Sequence, residues 1–250
     1  MSLTDAGAPR RLAWLDMLRG AALVAMAIYH FTWDLALFGL IDPYTPFEPG
    51  WRYFARSIAA TFLLLVGVGL ILGHGGGVRW RAFFNRIGQI VAAAALITIG
   101  TYIATPDAFI FFGILHMIAA GSLAGLLLLN LPVAAVLIVA ATVAGIGLTY
   151  EHPIFDQPAL LWIGLGTQPA RSNDFVPFFP AFAAVAVGIA MARLLPLRQF
   201  ELSAMLATTR PARVLALLGR HSLIVYLLHQ PILIGGLWLA LSARALLGGD

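Results

Sequence analysis

Residues 15–40 read LDMLRGAALVAMAIYHFTWDLALFGL. The run is apolar enough to sit in a bilayer, yet it carries Asp16, Arg19, His30 and Asp34. An ionisable group inside lipid is costly, so it needs a partner or a wet cavity, and its default reading is functional. Helical spacing puts all four on one stripe. Eleven steps of about 100° bring His30 to within about 20° of Arg19, and Asp16 and Asp34 both lie about 40° to the same side of His30. The rise from Arg19 to His30 is about 16 Å, roughly half the hydrocarbon thickness.

The rest of the chain is equally apolar. Of its 250 residues, 61% are hydrophobic and 10% charged, and the mean hydropathy is +0.92. A soluble domain would carry about 25% charged residues. These values predict an all-α, polytopic membrane helix bundle, one integral-membrane domain over residues 1–250. The sequence has no cysteine, which excludes disulfides and thiolate chemistry, and no metal site is expected. The opening MSLTDAGAPRR lacks the layout of a cleaved signal peptide, so the first span is expected to stay as an anchor. The net charge of +4 is what arginine-rich cytoplasmic loops give, and nucleic acid is not expected as a partner.

Apolar runs predict seven spans, at about 15–38, 54–73, 84–104, 109–129, 132–149, 176–195 and 217–247. A tight turn at 130–132, a longer outer loop at about 150–175 and a basic linker at about 196–213 separate them, and the last span is expected to bend at Pro231. With seven spans, Arg10, Arg11, Arg19, Arg79, Arg81, Arg86, Arg193, Arg198, Arg210 and Arg213 share one side. Asp42, Glu48, Asp107, Glu151, Asp156 and Asp174 share the other, offset by Arg52, Arg56 and Arg171. The positive-inside rule then makes the N-terminus cytoplasmic.

Several polar side chains interrupt the apolar runs. His30 lies mid-span with Asp34 one turn on, and a His–Asp pair can act as a general base. His116 lies inside the fourth span, where a histidine can serve chemistry or simply satisfy a neighbouring helix. Asp174, in NDFVPFFPAF (173–182), reads as a substrate contact or a helix N-cap. In LGRHSLIVYLLHQP (218–231), Ser222, Tyr226 and His229 fall on one face, with Tyr226 and His229 as candidate substrate contacts. Arg19, Arg220 and Asp16 gather at the cytoplasmic end, where an arginine either binds an anion or snorkels. The HGGG segment (74–77) is too lightly patterned for a phosphate loop and reads as a flexible turn.

These stretches resemble a known family. DMLRG in the first span, GILHMIA in the fourth, DFVPFFP in the outer loop and LGRHSLIVYLLHQP at the end are similar to the membrane acetyltransferases related to heparan-α-glucosaminide N-acetyltransferase, in particular their small bacterial relatives. The arginine, ten residues and then a histidine also resembles the wider transmembrane acyltransferase superfamily, and Arg19 and His30 match that spacing. The resemblance implies transfer of an acetyl or acyl group from cytoplasmic acyl-CoA, acetyl-CoA included, to a sugar or glycan acceptor at the outer face of a bacterial cytoplasmic membrane. It supports Arg19 in donor binding and His30 in catalysis; position adds Arg220 and Asp16 to the expected donor site and Asp34 and His116 to the expected catalytic set, Asp16 and Asp34 on helical geometry alone. The imidazole would be a general base or a transient acyl carrier. The lipid bilayer is the remaining partner, with a homo-oligomer or larger membrane complex left open. Two other classes stand beside this one: a non-catalytic membrane subunit that keeps the fold, and a haem-binding cytochrome using His30, His116 and His229.

Overall fold

The computed structural model describes residues 12–197 and 209–247. Arg10, Arg11, Arg198 and most of the basic linker lie outside them. Among the described residues there are eight α-helices and no strand: α1 (Ala13–Leu37), α2 (Pro49–His74), α3 (Trp80–Ala104), α4 (Ile114–Leu128), α5 (Val133–Thr149), α6 (Phe178–Leu194), α7 (Arg210–Arg220) and α8 (Ser222–Leu246). The all-helical expectation holds. Helices α1, α2, α3 and α8, of 25, 26, 25 and 25 residues, are long and apolar enough to cross a bilayer. Helices α4, α5 and α6 have 15, 17 and 17 residues. They rise about 22–26 Å against a hydrocarbon core of about 30 Å. Length alone therefore supports four crossings, and three further apolar helices fall short of the bilayer thickness.

Local chemistry sets the ends. Helix α1 stops where Gly39 takes φ 70° and Leu40 N–H donates to Leu35 O at 2.9 Å, a left-handed glycine cap. Helix α2 begins five residues earlier than hydropathy predicts, with Pro49 as its first residue, where a missing N–H costs nothing. Helix α4 begins five residues later, because 108–112 is drawn into an extended pairing. Asn173 N–H donates to Ala108 O and Val176 N–H to Phe112 O, while Thr98 and Thr101 side chains bind the Ile110 backbone.

The core lies among α2, α4, α5 and α6, where Leu63, Met117, Val136, Val185 and Ile189 are fully buried. Two glycines let α2 and α6 meet backbone to backbone. A Cβ on Gly67 would overlap the Val185 carbonyl, and one on Gly188 the Leu64 carbonyl. Arg193, counted among the cytoplasmic-side arginines, lies in the last turn of α6. Its guanidinium donates to the Leu128, Leu129 and Leu131 carbonyls and so closes the α4–α5 turn. Large apolar side chains such as Leu96, Ile99, Ile138 and Leu239 face outward, as a lipid-facing surface requires.

The last predicted span is two helices. The chain breaks at His221, and α8 then continues through Pro231 as one helix. Helix α7 packs along α1. Ala212, Ala216 and Gly219 face it, and a Cβ on Gly219 would overlap the Asp16 carbonyl, one on Gly20 the Leu215 carbonyl. Those pairings make α7 antiparallel to α1. Helix α8 pairs with α1 in the opposite sense, Asp34 with Gln230 beyond His30 with His229, so α1 and α8 run in the same direction.

Gly188→Leu is expected to cost about 3 kcal/mol, because the added side chain meets backbone that cannot give way. Gly100→Ala, whose Cβ meets nothing, should gain about 0.5–1 kcal/mol. Thermal unfolding in detergent reads both.

Candidate functional site

The α1–α7 contact builds one end of the site. Arg19 Nη1 donates to Asp16 Oδ1 at 3.0 Å, and Arg220 Nε lies 3.6 Å from Asp16 Oδ2. Asp16 is buried, so the two guanidiniums balance a charge that lipid could not hold alone. Both arginines line a cavity of about 790 Å³, together with Arg79, Arg86, His221 and Ser222. Four guanidiniums from α1, the α2–α3 turn, α3 and α7 thus converge on one opening. Arg79 also reaches back to the residues that open the HGGG turn. Arg79 N–H donates to His74 Nδ1 at 3.2 Å, and Arg79 Nε donates to Gly73 O at 2.9 Å. Arg81 lies outside this cavity, on a separate surface depression.

A second cavity of about 240 Å³ adjoins the first and shares Arg19, Gly69, Arg86 and Ser222 with it. Its other walls are chiefly apolar, among them Phe62, Leu65, Leu70, Ile87, Ile90 and Ile118. The opening is therefore cationic and the adjoining chamber is greasy. Tyr226 packs in the same clusters as Phe62 and Ile118, one turn beyond Ser222 on α8.

Farther along, the polar stripe of α1 meets α8. The His30 and His229 rings lie with centroids 5.0 Å apart. Asp34 does not pair with His30, as its spacing suggested. Its carboxylate accepts from Gln230 Nε2 at 2.6 Å. His229 Nδ1 lies 2.5 Å from Tyr226 O. A carbonyl only accepts, so Nδ1 carries the proton and Nε2 of the neutral ring is left with its lone pair.

Asp174 and His116 form a third group, at the start of α4. Asp174 Oδ2 accepts from Ile114 N–H at 2.9 Å and from the Tyr226 hydroxyl at 3.4 Å. It caps a helix other than the one it precedes, and the carboxylate lies at the positive end of the α4 dipole. His116 Nδ1 accepts from Gly113 N–H at 3.2 Å, so Nε2 carries the proton toward Thr98 Oγ1 at 3.2 Å. Both ring nitrogens of His116 are engaged, and no contact joins it to His30.

The residues singled out by sequence thus fall into three groups: Asp16, Arg19 and Arg220; His30, Asp34 and His229; Asp174, Tyr226 and His116. Tyr226 and His229 touch through their rings at 5.5 Å, which links the second group to the third. Gln230 was missed, although a lone amide inside an apolar run is itself a signal. Helix α7 was missed too, although Thr209, Arg210 and Pro211 spell a helix start, and Thr209 Oγ1 accepts from Ala212 N–H at 3.4 Å.

A family model described as heparan-alpha-glucosaminide N-acetyltransferase, catalytic, matches residues 11–231. No curated protein and no solved structure matches the chain.

Burial raises the Asp174 carboxyl above the ordinary carboxylate range, against the hydrogen bonds from Ile114 N–H and Tyr226 that hold it down. The folded state then keeps its proton longer than the unfolded chain does. Its contribution to stability is full below the ordinary range, about pH 4, and falls as pH rises through the raised value. Asp174→Asn should flatten that limb in thermal unfolding measured across pH.

Proposed function

The chain belongs to the heparan-alpha-glucosaminide N-acetyltransferase catalytic family, and from that premise we propose that it is a membrane acyltransferase moving an acetyl or acyl group from acyl-CoA to a sugar-like acceptor across its bundle. The observation that carries this reading is the junction of the four-arginine cavity with the apolar chamber. CoA is a multiply charged phosphate ester on a slender, largely uncharged arm. Its phosphates match Arg19, Arg79, Arg86 and Arg220, which donate charge-assisted hydrogen bonds. The pantetheine arm matches the chamber beyond. Asp16 keeps Arg19 and Arg220 apart and aimed while the site is empty. His30, about 16 Å along α1 from Arg19 and packed on His229, marks the depth at which the thioester meets an imidazole.

On this reading the arginine end is cytoplasmic, in a bacterial inner membrane, and the acceptor arrives from the opposite face. The common direction of α1 and α8 supports an odd number of crossings between them. Asp34, through Gln230, fixes α8 against α1 beside His30. Asp174 and Tyr226 hold the outer loop onto α4 near the acceptor's side. His116 acts as a positioning residue, because it ties α3 to the start of α4.

Purified protein supplied with acetyl-CoA and glucosamine should release free thiol. Arg86→Ala and Arg220→Ala should each raise the KM for acetyl-CoA about tenfold to a hundredfold, the loss of a hydrogen bond to a charged group. His30→Ala should lower release while acetyl-CoA still binds. Thiol release that is unchanged in all three variants would sink the proposal.

A further inference from the structure

Among the described residues, three buried polar atoms between α1 and α8 have no hydrogen-bond partner: Asp34 Oδ2, Gln230 Oε1 and His229 Nε2. Asp34 and Gln230 are hydrogen bonded, and His229 precedes Gln230 and packs on His30. Asp34 is only 1% exposed, so water from outside does not serve it. Each orphan is also of known type. Gln230 turns its amide N–H to Asp34 Oδ1, which leaves Oε1 as an acceptor. Asp34 Oδ2 accepts when ionised. His229 has spent its ring N–H on the Tyr226 carbonyl, which leaves Nε2 as an acceptor. Three acceptors buried without donors are a loss the fold does not need, since apolar side chains would fill the same space.

We infer that this nest receives the hydrogen-bond donors of the acyl acceptor, and that His229, rather than His30, is the general base. The inference rests on the acyltransferase reading and deepens it. The ligand is a molecule bearing adjacent hydroxyl or amine groups. Its reacting O–H or N–H points at His229 Nε2, and a neighbouring donor is held by Asp34 and Gln230. As the acceptor's lone pair bonds to the thioester carbonyl carbon, its proton passes to Nε2. The C–S bond then breaks, and the departing CoA thiolate takes that proton. The Tyr226 carbonyl holds the ring in the tautomer that can accept, and His30 packs against the ring and fixes its direction.

The test is steady-state thiol release from acetyl-CoA, with glucosamine and with glucose as probes. His229→Gln should lower kcat about 10²–10⁴-fold, the worth of a positioned base, with the acetyl-CoA KM unchanged. Gln230→Leu and the isosteric Asp34→Asn should each raise the KM of the sugar fivefold or more, again without moving the KM of acetyl-CoA. A reading without turnover accompanies these: glucosamine should raise the unfolding temperature of the wild type and not of Asp34→Asn. Unchanged sugar KM in both variants, or an unchanged kcat in His229→Gln, overturns this assignment and leaves the acyltransferase reading standing. Absence of thiol release from the wild type with either sugar, together with no binding of acetyl-CoA, overturns that reading itself.

Discussion

Polar groups inside a bilayer must find each other, and in this protein that constraint fixes how the two ends of the chain meet. Asp16 is buried between the guanidiniums of Arg19 and Arg220. Removing either arginine would leave a carboxylate poorly compensated where water is scarce. The same face of α1 carries Asp34 to Gln230 and His30 to His229. Gly20 and Gly219 make the approach possible, because a side chain at either would collide with backbone across the contact. The Arg19–Asp16–Arg220 group and the imidazole pair both follow from this one seam.

The remaining helices supply rigidity and walls. Helices α2, α4, α5 and α6 bury the large apolar core and lock together through the Gly67 and Gly188 contact and the Arg193 clamp. Dispersion and close packing hold helices together in lipid, where tails are as apolar as leucine, so small residues at the seams matter more than added hydrophobic bulk. Helices α1, α7 and α8 lie against that block, and the cavities open between the two parts. A charged opening leading into an apolar chamber is what a donor with an anionic head and a long uncharged arm requires.

Most of the secondary structure was legible. Each of the seven apolar runs contains a helix, because hydropathy over about twenty residues reads the solvent that surrounds a span. Errors fell where polar contacts, which have no hydropathy signature, set the boundary. The pairing of 108–112 with 173–176 shortens α4. The break at His221 splits the last run, since α7 runs antiparallel to α1 while α8 runs parallel to it. Arg193, counted among the cytoplasmic-side arginines, serves as a helix-end donor. Asp174 was read as contact or cap and proves to cap α4, sixty residues away in sequence.

By itself the sequence determined that this is a helical membrane protein, that Asp16, Arg19, His30 and Asp34 share one face of its first helix, and that its motifs resemble an acyltransferase family. The first two need only composition and helical periodicity, and the third rests on the likeness of particular motifs. The tertiary structure decided what that face touches. Asp34 meets Gln230 and not His30, Arg220 shares Asp16 with Arg19, and His229 is held in the tautomer that can accept a proton. Partners separated by about two hundred residues are chosen by how helices cross, and periodicity within one helix carries no information about the helix it will face.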